Sequence, residues 1–413
     1  MPAGWFTTFT NCRKAIAGHI VDDHLVISEE TGTILKRTGY IGGEIVDLDD
    51  GIIAPGYLEL HANGVNGFHF TDFQTPEQYE RRLSETARYY VTQGVTGFWV
   101  TIPTVDPETF QKILPHLRPR AFPSGATLLG AHVEGPYLCP TKAGAHQPSL
   151  FHTPTTTPDP STVYGAANLG TSVKLVTLAP ELPGAEALIA KFVEKGVRVS
   201  LGHSAATYEQ GLRALRAGAT CLTHTFNAMA PLHHREPGLA GLITLPLSAD
   251  GTSSSSPPPP NPDPPYFSHI PDSHHVHPSL STLLLRASPA RALLVTDSVE
   301  LANLPNGTYS GNAQIPGPQH KAGTRAYVET LVGGCVSLAR AVQNVARWSA
   351  CGVAGAARCV GENVAGLMGL DDEAGMGRRG RLEEGFRADL VVLDDEGDVL
   401  QTWVAGTKVW ERE

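Results

Sequence analysis

Two marks of export or membrane residence are missing from this chain of 413 residues. No run of about 18 apolar residues occurs in it. The opening MPAGWFTTFTNCRKAIAGHIVDDH lacks the apolar stretch of a secretory leader. Cysteine is sparse, and the six present (Cys12, Cys139, Cys221, Cys335, Cys351 and Cys359) form no C-x-x-C pair. Reduced thiols in a cytoplasmic protein are the expectation. Positive charge is also in short supply, with 31 Lys and Arg against 41 Asp and Glu and a formal charge of −10. Such a surface repels nucleic acid and anionic membrane, so neither is expected as a partner, and an anionic ligand needs a local basic pocket.

The rest of the composition is that of a globular protein. With 41% hydrophobic and 17% charged residues, wholesale disorder and fibrous classes are excluded. The 43 glycines and 32 prolines predict many turns. Between about 57 and 350, short runs rich in β-branched residues alternate with amphipathic segments, as expected of βα units around a parallel sheet. The predicted strands are YLELH (57–61), GFWVT (97–101), TLLGAHVE (127–134), VKLVTLA (173–179), VRVSLGH (197–203), ATCLTH (219–224), YFSHIPD (266–272) and RALLVTD (291–297). Helices are predicted over 77–94, 185–196 and 207–218, each closed by a glycine. In the last of them Leu212 and Leu215, with Ala219 beyond, trace an apolar stripe suited to packing on a sheet.

Eight such strands predict an α/β fold, a (β/α)8 TIM-type barrel over 57–379. The ends read differently. Segments 18–35 and 385–411 look like β-hairpins, the second turning at Asp395-Glu396-Gly397-Asp398. Residues 1–56 and 380–413 are therefore expected to join into one small β-sandwich domain built from both termini. Segment 248–265, SADGTSSSSPPPPNPDPP, is Ser/Pro low complexity and reads as a surface insertion. A linker between two domains is the alternative, but it would strand two predicted strands away from the other six.

Active sites of such barrels lie at the carboxyl ends of the strands. His61 and Asn63, Thr101, His132 and Glu134, His203, His224, His275 and Asp297 all fall at predicted ends. Glu134, His203 and His224 supply the two imidazoles and one carboxylate typical of catalytic zinc, with a coordination position left for water. Asp297 is placed to move that water's proton, or alternatively caps the following turn. His146 either reaches the site to polarise a carbonyl or is an exposed loop histidine. Arg235 suits an anion at the barrel mouth, or forms a surface ion pair with Glu236. Asn227 and Ala228 follow His224 and can meet a polar substrate. His233 and His234 read as solvated loop residues.

Several segments resemble the N-acetylglucosamine-6-phosphate deacetylases of the amidohydrolase superfamily. They are APGYLELHANG (54–64), GAHVEGPYL (130–138), KAGAHQP (142–148), LGHSAATY (201–208), THTFNAMAPLHHREPGLAG (223–241), DSHHVHP (272–278), LLVTDS (293–298) and GRLEEGFRADLVVLD (380–394). The resemblance implies hydrolysis of the acetamide of a phosphorylated amino sugar in amino-sugar catabolism. By position it implies Glu134, His203 and His224 as ligands of a divalent metal, zinc by preference, and Asp297 as acid/base. It implies substrate contacts at Ala145, His146, Asn227, Ala228, Arg235 and His275, with Arg235 and His275 addressing the phosphate. Backbone contacts at Leu331, Val332, Gly333 and Gly334 and a homodimer in which one subunit helps complete the neighbour's site are implied too.

Two departures matter. The superfamily's H-x-H reads His61-Ala62-Asn63 here, which favours one metal over two, and Val364 stands where a proline is common. Two other functions stay open on this reading. One is a related amidohydrolase acting on a cyclic amide or deaminating a base; dependence on the phosphate would separate it. The other is a non-catalytic relative, against which the retained Glu134, His203, His224 and Asp297 speak.

Overall fold

A computed structural model of the chain describes residues 5–36, 43–245, 262–312, 314–372 and 377–413. Residues 248–261 of the predicted Ser/Pro insertion lie outside the described residues. At the centre is an eight-stranded, all-parallel sheet in chain order: Tyr57–Glu59, Val95–Pro103, Thr127–Glu134, Val173–Leu178, Arg198–Leu201, Cys221–Leu222, Tyr266–His269 and Ala292–Leu294. The sheet curls until the segments after its first and last strands meet. Ala62 and Ser298 form a parallel bridge, and the Asp297 N–H donates to the His61 carbonyl at 2.8 Å. This is an α/β fold consistent with a TIM-type barrel.

Helices between the strands have readable causes. Pro76–Val91 begins with a proline at its first turn and Thr75 accepting from the Gln78 N–H. Tyr208–Arg216 starts with a reciprocal capping box between Thr207 and Gln210. Its stripe residues Leu212 and Leu215 are buried, as is Ala219 beyond the helix. Side chains on the outer face of the sheet, such as Phe98, Val100, Leu128 and Val176, join Ile189, Phe192 and Leu212 of the helices in one core. Inward-facing Leu58, Leu60, Trp99, Leu129, Leu175, Leu293 and Val295 form a second, which Val364, Ala365 and Leu367 complete from helix Glu362–Met368. Val364 is thus fully buried packing at the position where a proline was expected.

Six of the eight predicted strands end earlier than expected, three of them just ahead of candidate site residues. The ordered ladders stop at Leu201, Leu222 and Leu294. The residues two or three positions on, His203, His224 and Asp297, have φ of 48°, 33° and 44°. A left-handed backbone cannot continue a strand, so these side chains sit on sharp turns just past the ladder.

Both termini contribute to a second, seven-stranded sheet. Phe6–Ile16, His19–Asp22, Leu25–Ser28 and Glu44–Pro55 come from one end, and Leu390–Leu393, Val399–Val404 and Thr407–Glu411 from the other. Glu44–Pro55 pairs antiparallel with Leu390–Leu393 over a core of Phe9, Leu25, Ile27, Ile53 and Trp403. The hairpin expected within 18–35 is confined to its second half, where Leu25–Ser28 turns back on residues 33–35 through the antiparallel Ile27–Ile34 bridge and the Leu35 N–H donating to the Val26 carbonyl at 2.9 Å. His19–Asp22 and Leu25–Ser28 each pair with Phe6–Ile16 as well, the first because Ala17 and Gly18, both at positive φ, fold the chain straight back on that strand. A four-stranded antiparallel sheet went unanticipated: Gly307–Tyr309, Gln319–Ala322, Arg325–Tyr327 and Leu331–Gly334. It is stitched to the last parallel strand's exit, where the Gly334 N–H donates to the Asp297 carbonyl at 2.8 Å.

Candidate active site

Glu134 is the last residue of strand Thr127–Glu134 and is almost wholly buried. Its Oε1 lies 3.2 Å from His203 Nε2 and 3.0 Å from His224 Nε2, and the two imidazole nitrogens are 3.1 Å apart. His203 Nδ1 faces the Lys142 carbonyl at 2.8 Å. A carbonyl only accepts, so the proton is on Nδ1 and the Nε2 lone pair points inward. Three electron-pair donors thus face one another at hydrogen-bond distances, an arrangement that fits a divalent cation of the kind bound by two imidazoles and a carboxylate.

Asp297 closes the other side. Its Oδ1 accepts from Asn63 Nδ2 at 2.7 Å and lies 3.2 Å from His61 Nε2, which is also 3.3 Å from Glu134 Oε2. Burial opposes charge on His61, but Asp297 and Glu134 outweigh it and hold the imidazolium well above the ordinary histidine range. Burial likewise opposes the Asp297 carboxylate, and His61 overcomes it, so the acid is held below its usual range. His61, Glu134 and Asp297 also present ligand atoms close enough for an ion. A protonated His61 between the two carboxylates supplies positive charge there by itself.

His146 sits with its Nε2 3.5 Å from Glu134 Oε2. Its Nδ1 accepts from the Thr104 N–H at 3.3 Å, which leaves the proton on Nε2, facing the site. Burial depresses its pKa, so the ring is neutral and a hydrogen-bond donor. His275 receives a different treatment. Asp272 is 2.7 Å from its Nδ1 and accepts from its N–H at 2.8 Å. Burial works against the His275 charge, but Asp272 prevails and raises the pKa.

A cavity of about 400 Å³ joins these groups: Glu134, Ala145, His146, His203, His224, Asn227, Ala228, His275, Asp297, Leu331, Val332 and Gly333 all line it. Gly334 lies just behind, bonded to Asp297. Arg235 is not in the lining. It is exposed, with its Nε 3.2 Å from His234 Nε2, and the alternative ion pair with Glu236 does not form either; that carboxylate accepts from the Tyr208 and Gly238 N–H groups. His233 and His234 are exposed beside it. The structure adds Gly144, Gln314 and Thr330 to the lining. Gln314 and Thr330 belong to the unanticipated four-stranded insertion and carry no pattern that sequence reading uses. Glu59 was also missed as a support: fully buried, it accepts from the His61 and Thr296 N–H groups at 3.3 and 3.4 Å, and burial pushes its pKa up to about 7.

A curled parallel sheet with such a cluster at its carboxyl end marks the amidohydrolase class. No protein-family model matches the chain. It is 36% identical over 419 residues to the N-acetylglucosamine-6-phosphate deacetylase of Danio rerio, covering 98% of this chain and 97% of that one. Among solved structures, the N-acetylglucosamine-6-phosphate deacetylase of Thermotoga maritima superposes with a TM-score of 0.79 at 26% identity, over 98% of this chain and all of that one. A mutant deacetylase from Mycobacterium smegmatis in complex with N-acetyl-D-glucosamine-6-phosphate superposes at 0.78 and 25% identity, covering 98% and 99% of the two chains. The chain belongs to the N-acetylglucosamine-6-phosphate deacetylase family.

Proposed function

We propose that the chain hydrolyses the acetamide of N-acetyl-D-glucosamine 6-phosphate to glucosamine 6-phosphate and acetate, in amino-sugar catabolism. The observation that carries this reading is the convergence of Glu134, His203, His224, Asp297 and His146 on one cavity in a chain of this family. One divalent ion, zinc by preference, held by Glu134, His203 and His224 would supply Lewis acidity and a water acidified to near neutral pH.

The chain's own groups do the rest. Asp297, with Asn63 and His61 on its Oδ1, accepts the attacking water's proton and delivers it to the departing amine nitrogen. His146 donates a hydrogen bond from its Nε2–H to the acetamide oxygen, polarising the carbonyl and stabilising the charge that develops there. His275, kept cationic by Asp272, and the backbone of Leu331 to Gly334 receive the phosphorylated sugar. Ala145, Asn227 and Ala228 line the same cavity as sugar contacts.

Arg235 lies outside its own cavity, which supports a role in the neighbouring subunit's site in a homodimer. Exposed Leu232, Leu280 and Leu283, at 53%, 41% and 52% accessibility, offer apolar surface for such an interface. Residues 57–379 form the catalytic barrel, and 1–56 with 380–413 the small β-sandwich domain. No helix among the described residues is long and apolar enough to cross a membrane. With the reduced cysteines this supports a cytoplasmic place of work. Acetate release from N-acetylglucosamine 6-phosphate, with and without chelator and beside the unphosphorylated sugar, tests the reading. No release, or equal turnover without the phosphate, would overturn it.

A further inference from the structure

At the end of the parallel sheet away from the active site, a second cavity of about 630 Å³ opens where the strands begin. Lys174 and Arg198 stand at the starts of strands Val173–Leu178 and Arg198–Leu201, and Val193, Gly196, Val197 and Gly218 come from the helix-to-strand turns. Met368, Gly369 and Leu370 close the other side at the end of helix Glu362–Met368. Leu129 and Trp99 form the inner wall, which is the underside of the inward-facing core.

The charge of this wall is unlike that of the molecule. The chain carries ten more acidic than basic residues, yet among the described residues that line this cavity Lys174 and Arg198 are the titratable ones and no carboxylate joins them. Arg198 forms no ion pair with any described residue, although its guanidinium lies close to Gly369, where an added Cβ would meet it at 2.9 Å. Lys174 is half-buried and bonded to the Gly170 carbonyl; burial lowers its pKa, a cost that a bound anion would relieve. Trp99 is 1% exposed and its indole N–H has no partner among the described residues. The active-site cavity, by contrast, has no lysine or arginine among the described residues of its lining.

We propose that this cavity is a second binding site, for a small monocarboxylate with an apolar chain. Its carboxylate lies between Arg198 and Lys174, and its chain covers Leu129, Val193, Val197 and Met368 beside the Trp99 indole. The volume is within the range of small-molecule sites, and apolar walls with few convergent polar groups are their usual make-up. The proposal is independent of the deacetylase reading.

Isothermal titration calorimetry of the full chain with octanoate tests it, with 1-octanol as the uncharged control. We expect one saturable octanoate site per chain, binding at least tenfold weaker for 1-octanol and for Arg198→Ala. Raising the salt should weaken octanoate binding and leave 1-octanol unchanged, a readout in the unaltered protein should the variant misfold. Saturating N-acetylglucosamine 6-phosphate should not displace octanoate. Absence of saturable binding, equal affinity for 1-octanol, no effect of Arg198→Ala in a folded protein, or displacement by the sugar phosphate would each overturn the assignment.

Discussion

Asn63 donates its side-chain amide to Asp297 Oδ1 at 2.7 Å, the same oxygen that His61 Nε2 approaches at 3.2 Å. Both contacts fall on one oxygen, which leaves the other for the proton in the proposed acid/base role. Replacing Asn63 with alanine removes a hydrogen bond to a charged group, which is worth roughly 1.5–3 kcal/mol. We predict kcat lower by about tenfold to a hundredfold, with KM little changed, in steady-state kinetics on a variant whose circular dichroism matches the parent. An unaltered kcat would remove Asn63 from the mechanism.

Asp297→Asn keeps the shape of the side chain and removes its basicity. A positioned general acid/base contributes roughly 10²–10⁴-fold. Acetate release should fall by that order while the metal content, read by elemental analysis, stays at the parent level. Normal turnover in such a protein would refute the role given to Asp297.

The His275–Asp272 pair makes a pH prediction. Asp272 raises the His275 pKa, so the cation is fully present below the ordinary histidine range and is lost as pH rises through the raised value. KM for the phosphorylated sugar should therefore climb on the alkaline side. Asp272→Asn removes the cause and should move that climb to lower pH. KM for N-acetylglucosamine without its phosphate should stay flat over the same window. If both sugars respond alike, His275 does not address the phosphate.

Removing the ion should abolish turnover and lower the melting temperature, since binding to the folded state alone stabilises it. His203→Ala and His224→Ala should each reduce the bound ion per chain, measured by elemental analysis after dialysis, whereas His233→Ala should not. A full complement of metal in His224→Ala would break the ligand set.

How much of this could be read in the sequence follows from where the determinants lie. Strands such as Thr127–Glu134 announce themselves, because a fully buried parallel strand must be continuously apolar up to its functional end. Glu134 and His224 stood out because they interrupt or terminate such runs. The exact strand ends were not legible: periodicity does not reveal that His203, His224 and Asp297 take a left-handed backbone. Gln314 and Thr330 carry no readable signal because their four-stranded insertion is short-stranded and its small core, around Val299, Leu301 and Ala326, has no regular apolar period. Arg235 was readable as an arginine near the mouth, but its exposure outside the cavity is a tertiary fact.

Three side chains at the centre of the site thus hang from backbone that L-residues disfavour, at about 1 kcal/mol or more each. Glycine at 203, 224 or 297 would relax the turn. The fold would then be more comfortable without its chemistry, and a chain released from catalysis would gain stability by discarding these residues. That they are histidine, histidine and aspartate is itself a mark of work being done.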